Sequence, residues 1–177
     1  SSDVCSSDLV RRGGTGVTNV GMLVEDKEGF LPQLKEAFDQ CGFNVKIHEN
    51  IQTLIWDKLF TNVSLSALTG VLQVDMGYIA ANEYAWDLCC QLIHETVKTA
   101  AAAGLDFDEE KVREKVKNTS INNPKGCTSI RADLRDGRKT EVDTISGAVV
   151  RAAHKHGVEV PGHECIVRLV HAMEGRN

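Results

Sequence analysis

IQTLIWDKLFTNVSLSALTG, residues 51–70, decides the reading of the fold. Leu54, Ile55, Leu59, Phe60, Val63, Leu65 and Leu68 recur at helical rather than alternating spacing, and no proline interrupts them. The pattern predicts one long helix over 51–68 that ends near Gly70. Three polar side chains mark it. Lys58, Asn62 and Ser66 are four apart, a spacing that stacks them along one helix face. Such a stripe is either a solvated face, the ordinary state of a lysine, or the lining of a cleft. In a cleft, burial and a neighbouring charge bring Lys58 toward a pKa suited to proton donation.

Downstream the helical character continues. Residues 78–103 read as a second long helix stopped by Gly104, and Asp108 as the cap of a charged helix running to about Asn118. A loop at 122–126 leads to a short helix over 129–134 and a turn at Asp136-Gly137-Arg138. Thr140, with Asp143 three residues on, reads as a capping-box-like start of a helix to His156, ended by Gly157. Pro161 opens the last helix, to about Glu174.

Upstream the pattern differs. Residues 10–23 read as strands with turns, 31–41 as a helix closed by Gly42, and the alternation of Phe43, Val45 and Ile47 as a strand. The expected organisation is a β-α-β segment over 10–49 and a helical domain over 50–177, mainly α in class. Its boundary falls near 48–50.

The first nine residues, SSDVCSSDL, stand apart. They read as the translation of a sequencing adapter, AGT TCA GAC GTG TGC TCT TCC GAT CT, and are set aside from fold reasoning. With no initiator methionine, the expectation is a chain truncated upstream of Val10.

Composition removes several classes of function. The chain has 177 residues, is 42% hydrophobic and carries a formal net charge of −5. Neither a basic stripe nor an aromatic platform points to nucleic acid, and no apolar run approaches a membrane span. Cys5 belongs to the adapter-like segment. Cys41, Cys89, Cys90, Cys127 and Cys165 are odd in number and unpaired in spacing, as reduced thiols of a cytoplasmic protein would be. His154, His156, His163, Cys165 and His171 are rich in ligating atoms, but neighbours two apart on a helix diverge, so no metal is expected. Taken alone, Glu141 is an acidic residue in the first turn of a helix, and Ser129 a capping residue near a helix start.

TSIRADLRDGRKTEVDTISG, residues 128–147, together with Trp56-Asp57-Lys58-Leu59 leading into Asn62, resembles the carboxy-terminal half of ketopantoate reductases. The resemblance runs from about Val10 to the end of the chain. It implies a helical domain of the 6-phosphogluconate dehydrogenase carboxy-terminal type, preceded by a remnant of a truncated Rossmann domain. It also implies NADPH-dependent reduction of 2-dehydropantoate to pantoate, in the cytoplasm, in pantothenate biosynthesis. Lys58 matches the general acid, and Asn62 a substrate-binding asparagine. Ser129 matches a serine that contacts the substrate carboxylate. Glu141 matches a glutamate that binds substrate or positions the lysine. Ser66, grouped with the substrate-binding residues, stands where some members carry a second asparagine, which leaves the keto acid open.

The implied mechanism is direct hydride transfer from NADPH to the keto carbon, with Lys58 protonating the carbonyl oxygen. The G-x-G-x-x-G fingerprint that holds such a cofactor is not found. Gly14-Thr15-Gly16 begins it, but Asn19 takes the place of the third glycine. The chain by itself is therefore expected to bind NADPH poorly and to turn over little. Long apolar helices offer surface for a homodimer. The rival readings are another keto-acid or opine-type dehydrogenase, and a non-catalytic helical dimerisation module.

Overall fold

The computed structural model describes residues 16–175. The adapter-like segment 1–9, the strand expected from Val10 and the turn residues 13–15 lie outside that range. The chain divides into two compact units between Leu54 and Ile55.

The first unit is a β-α-β arrangement of β1 (Val17–Val20), α1 (Phe30–Gln40) and β2 (Asn44–Ile47). The strands are parallel, with Val17 opposite Asn44 and Val20 opposite Ile47. Asn19 Oδ1 lies 2.8 Å from His48 Nε2. Gly29 is left-handed at the N-cap of α1, and the Phe30 and Leu31 amides both donate to the Asp26 carboxylate at 2.8 Å. The Leu31 amide, then that of Phe30, holds this carboxyl below its ordinary value. Gly42, at φ 79°, reverses the chain after α1 as its sequence position predicts. Val45 of the alternating stretch is buried.

The second unit is helical. The helix expected over 51–68 is observed as α2 (Ile51–Thr61), a π-helical turn (Asn62–Ser66) and α3 (Ala67–Leu72). Hydroxyl back-bonding accompanies the π turn. Ser64 Oγ donates to the Phe60 carbonyl at 2.6 Å and Thr69 Oγ1 to that of Leu65 at 2.7 Å. The helix runs past Gly70 and stops at Gln73, which is left-handed at φ 56°. Gly70 is therefore not a stop signal. A Cβ there would lie 2.4 Å from Ile130 Cγ2, so the missing side chain permits a close helix approach.

The helix expected over 78–103 is two helices, α4 (Met76–Ala81) and α5 (Glu83–Ala102). Asn82 adopts an extended conformation between them, and its side chain accepts from the Ala85 amide at 3.0 Å. Asp108 caps α6 (Glu109–Asn122) as expected, but the helix runs to Asn122. Ser120 Oγ donates to the Met76 carbonyl at 2.6 Å and ties that last turn to α4. After α7 (Ser129–Arg135), the predicted capping box at Thr140 does not form. Residues 141–145 make a turn, and α8 (Ser146–His156) starts only beyond Ile145, at φ −99° and ψ −92°. α9 (Pro161–Glu174) keeps its expected bounds.

The core gathers on α5. Ala85, Cys89, Leu92, Ile93, Thr96, Thr99 and Ala100 are buried there, three or four residues apart along the helix. They pack against α4, α6, α8, α9 and the π turn. Each fully buried leucine or isoleucine contributes about 1.5–3 kcal/mol. Burial pushes the Cys89 thiol up to about 12, so it stays neutral and acts as packing. Glu95, also on α5 and buried, accepts from the Gly162 amide at 2.9 Å and the His163 amide at 3.0 Å. It thus caps the start of α9 from across the core. Among the described residues no helix is long and apolar enough to cross a membrane.

Candidate functional site

Lys58 stands in the last turn of α2, Asn62 opens the π turn and Ser66 closes it. A four-residue step in an α-helix overshoots a full circle by about 40°. A π turn holds more residues per circle, so the same step falls short. The two deviations oppose each other, and the three side chains stay on one stripe.

Exposure falls steadily along that stripe. Lys58 is exposed, Asn62 half-buried and Ser66 only 4% exposed. Ser66 Oγ is buried and has no hydrogen-bond partner. A hydroxyl left in that state costs about 1–3 kcal/mol. Among the described residues Lys58 makes no ion pair, while Asp57 beside it pairs with Lys115.

Helix packing sets the residues around Ser129 against α3. Thr69 Oγ1 and Thr128 Oγ1 share a hydrogen bond of 2.8 Å, and Ile130 sits in the space left by Gly70. Residues on either side of Ser129 thus touch α3, three and four positions beyond Ser66. Ser129 does not cap α7. Thr128 is the N-cap, accepting from the Arg131 amide at 3.5 Å, and Ser129 is the first helical residue with its side chain exposed.

Glu141 is exposed in the 140–145 turn, not in the first turn of a helix. Among the described residues its carboxylate makes no hydrogen bond or ion pair with Lys58, Asn62, Ser66 or Ser129. The Gly137-Arg138 turn between α7 and Thr140 is structural. Gly137 takes φ 68°, and Arg138 spans Asp133 and Asp136 at 2.9 Å each.

Several residues that shape this region carried no warning in the sequence. Thr140 donates through its amide and its hydroxyl to Glu174 Oε1, both at 2.7 Å. His171 lies between Glu174 and Asp143 at 2.9 and 3.0 Å. Burial works to raise the Glu174 carboxyl, but hydrogen bonds from Thr140 and His171 outweigh it and hold it low. Glu174, and then Asp143, raise the His171 ring above its ordinary value. The histidines that tempted a metal reading are held separately. His154 pairs with Glu164 at 2.8 Å, and His163 is buried against Thr96 at 2.9 Å and the Leu92 carbonyl at 3.0 Å. Among the described residues no cluster of His, Cys, Asp or Glu could hold a metal ion.

Comparison with known proteins identifies the family of the helical unit. The family model "Ketopantoate reductase PanE/ApbA C terminal" matches residues 50–174. A 2-dehydropantoate 2-reductase of Pyrococcus horikoshii is 27% identical over 161 residues, covering 91% of this chain and 53% of that protein. The Pyrobaculum aerophilum enzyme of the same name is 31% identical over 151 residues, covering 83% and 54%. The chain thus spans about half the length of the curated relatives it matches. Among solved structures, a ternary structure of D-mandelate dehydrogenase with NADH and anilino(oxo)acetate superposes with a TM-score of 0.79 at 26% identity, covering 93% of this chain and 69% of that one. A PanE/ApbA family ketopantoate reductase from Ralstonia eutropha shares the fold with a TM-score of 0.80 at 24% identity, covering 93% and 53%. The helical unit and the family model coincide over nearly their whole length, and the chain belongs to the ketopantoate reductase family through its carboxy-terminal domain.

Proposed function

We propose that this chain carries the substrate half of a nicotinamide-dependent 2-keto-acid reductase that converts 2-dehydropantoate to pantoate, with NADPH as the reductant. The observation that carries the reading is the Lys58-Asn62-Ser66 stripe. It descends from solvent to a buried, unpartnered hydroxyl, and the residues flanking Ser129 pack on α3 just beyond it. A buried donor without a partner is the kind of group a ligand oxygen satisfies. In this reading Lys58 Nζ gives its proton to the carbonyl oxygen as charge develops there. Asn62, Ser66 and Ser129 hold the carboxylate and carbonyl in line, and Glu141 contacts substrate or orients Lys58.

The described residues do not fit the cofactor. A dinucleotide's phosphates need free amides where a strand turns into a helix. In the β-α-β unit the first amides of α1 are already taken by Asp26, with Glu25 and Glu28 adding negative charge nearby. Asn19, at the third-glycine position, lies inside β1. The chain alone is expected to oxidise NADPH at a negligible rate.

A second reading keeps the same site with another keto acid. D-mandelate dehydrogenase, 26% identical, supports a larger aromatic substrate. Calorimetric titration of this chain with 2-dehydropantoate and with 2-oxo-2-phenylacetate separates the two. The proposal expects tighter binding of 2-dehydropantoate, weakened about tenfold or more by Lys58→Ala. Preference for the aryl acid would move the substrate to the second reading. Binding of neither acid, with Lys58→Ala and Glu141→Ala indistinguishable from wild type, would favour the non-catalytic module.

A further inference from the structure

The turn that presents Glu141 is held by the last helix. Thr140, just before Glu141, is fixed by two hydrogen bonds of 2.7 Å to Glu174 Oε1. Glu174 Oε2 meets His171 Nδ1 at 2.9 Å, and His171 Nε2 meets Asp143 Oδ1, two residues after Glu141, at 3.0 Å. The turn is therefore tied to α9 on both sides of Glu141, whose own carboxylate stays exposed. On the α8 side, Arg151 Nη2 donates to the Asp143 carbonyl at 3.0 Å.

The His171 bridge depends on the protonation of its ring. Ionised carboxylates only accept hydrogen bonds, and a neutral imidazole has one donor nitrogen. A ring lying between two carboxylates bonds both only as imidazolium. The flanking Glu174 and Asp143 favour that form. The charged groups that face it are Asp143 of the turn and Glu174 of its own helix, while Arg151 of α8 reaches the Asp143 carbonyl. His154 and Glu164 pair with each other, Arg168 reaches Glu164, and Glu95 of α5 serves the opposite end of α9. Around α7, Arg135 and Arg138 are paired with Asp133 and Asp136.

We propose that His171 and Glu174 are positioning residues, a clamp closed by the imidazolium that fixes where the 140–145 turn presents Glu141 to the keto acid. The functional half of this proposal rests on the reading of Glu141 given above. The structural half stands without it.

Nuclear magnetic resonance on this chain tests both. Protection of the Val142, Thr144 and Ile145 amides against hydrogen exchange would be followed across the titration of the His171 ring. In the wild type their protection factors should fall about tenfold as pH rises through that titration. In His171→Gln they should be low at every pH, while amides in the middle of α9 keep their protection. Calorimetry with 2-dehydropantoate should show about a tenfold weaker Kd for His171→Gln, and no further loss when it is combined with Glu141→Ala. Turn protection that ignores both pH and His171→Gln would overturn the clamp. So would losses in affinity that simply add, because His171 would then act independently of Glu141. If the exchange pattern holds but no form binds 2-dehydropantoate, the clamp stands and the keto-acid reading falls. The wild-type pH series needs no variant, so a poorly folding variant does not remove the test.

Discussion

Ser66→Ala deletes a hydroxyl that is 4% exposed and unpartnered, so two quantities should move in opposite directions. Relief of the orphaned donor is worth about 1–3 kcal/mol to the folded state. Alanine adds up to about 0.5 kcal/mol in helix propensity over serine, against which stands a small loss of packing around one missing oxygen. The net is a gain of about 1–2 kcal/mol, or about 3–6 °C in Tm for a chain of this size. Ser64→Ala is the internal control, two residues away and equally buried. Its hydroxyl is satisfied by the Phe60 carbonyl at 2.6 Å, so it should be neutral or slightly destabilising. Urea unfolding followed by circular dichroism gives both numbers under one protocol. The second quantity is keto-acid affinity. Removing a donor used only by ligand should weaken Kd by about 5–30-fold. A Ser66→Ala midpoint at or below that of Ser64→Ala would refute the argument, since the hydroxyl would then be satisfied without ligand.

Gly70→Ala forces a Cβ to 2.4 Å from Ile130 Cγ2 and should cost about 1–3 kcal/mol in urea. Combined with Ile130→Ala it should cost clearly less than the sum, whereas additivity within about 0.5 kcal/mol would show that the two helices already yield. Glu95→Ala leaves the Gly162 and His163 amides without an acceptor and should destabilise the chain by about 2–4 kcal/mol, with Glu95→Gln recovering part of the loss. An unchanged denaturation midpoint would show that those amides find another acceptor. The two buried or bridged histidines carry opposite signs. Burial lowers the His163 pKa, so its contribution is present above the ordinary value of 6.5 and is lost as pH falls below it. His171 is raised, so its contribution is full below 6.5 and is lost as pH rises through its higher folded value. Ring titrations that place His163 above His171 would contradict both assignments.

Element type was legible wherever periodicity and punctuation agreed. Pro161 at the start of α9 and the left-handed glycines at 42, 104 and 157 all lie where the sequence puts them. Legibility failed where a tertiary contact overrode a local signal. Gly70 reads as a stop and is instead a contact surface for Ile130. Asn82, inside an apolar period, breaks the helix because its side chain serves α5 as a cap. Thr140 carries a capping signature, but Glu174 takes its donors and the helix starts six residues later. At the site, the four-residue spacing revealed the stripe. The π turn that keeps it in phase and the burial that leaves Ser66 unpartnered depend on packing and had no local signature. The clamp joins Asp143 to a histidine 28 positions later, a separation at which no sequence spacing carries information.

The carboxylate that caps α9 comes from α5, 67 residues before the first amide it serves. Closing a loop of that length has an entropic cost of about 4 kcal/mol before any contact offsets it. As an autonomous segment α9 would leave those first-turn amides to water. Without α9 in place, Glu95 would face water instead of the two amides that satisfy it in the core. Docking of α9 and burial of Glu95 are thus coupled in the folded unit. A chain halted before Pro161 would keep most of its helices while lacking the residues that justify burying Glu95.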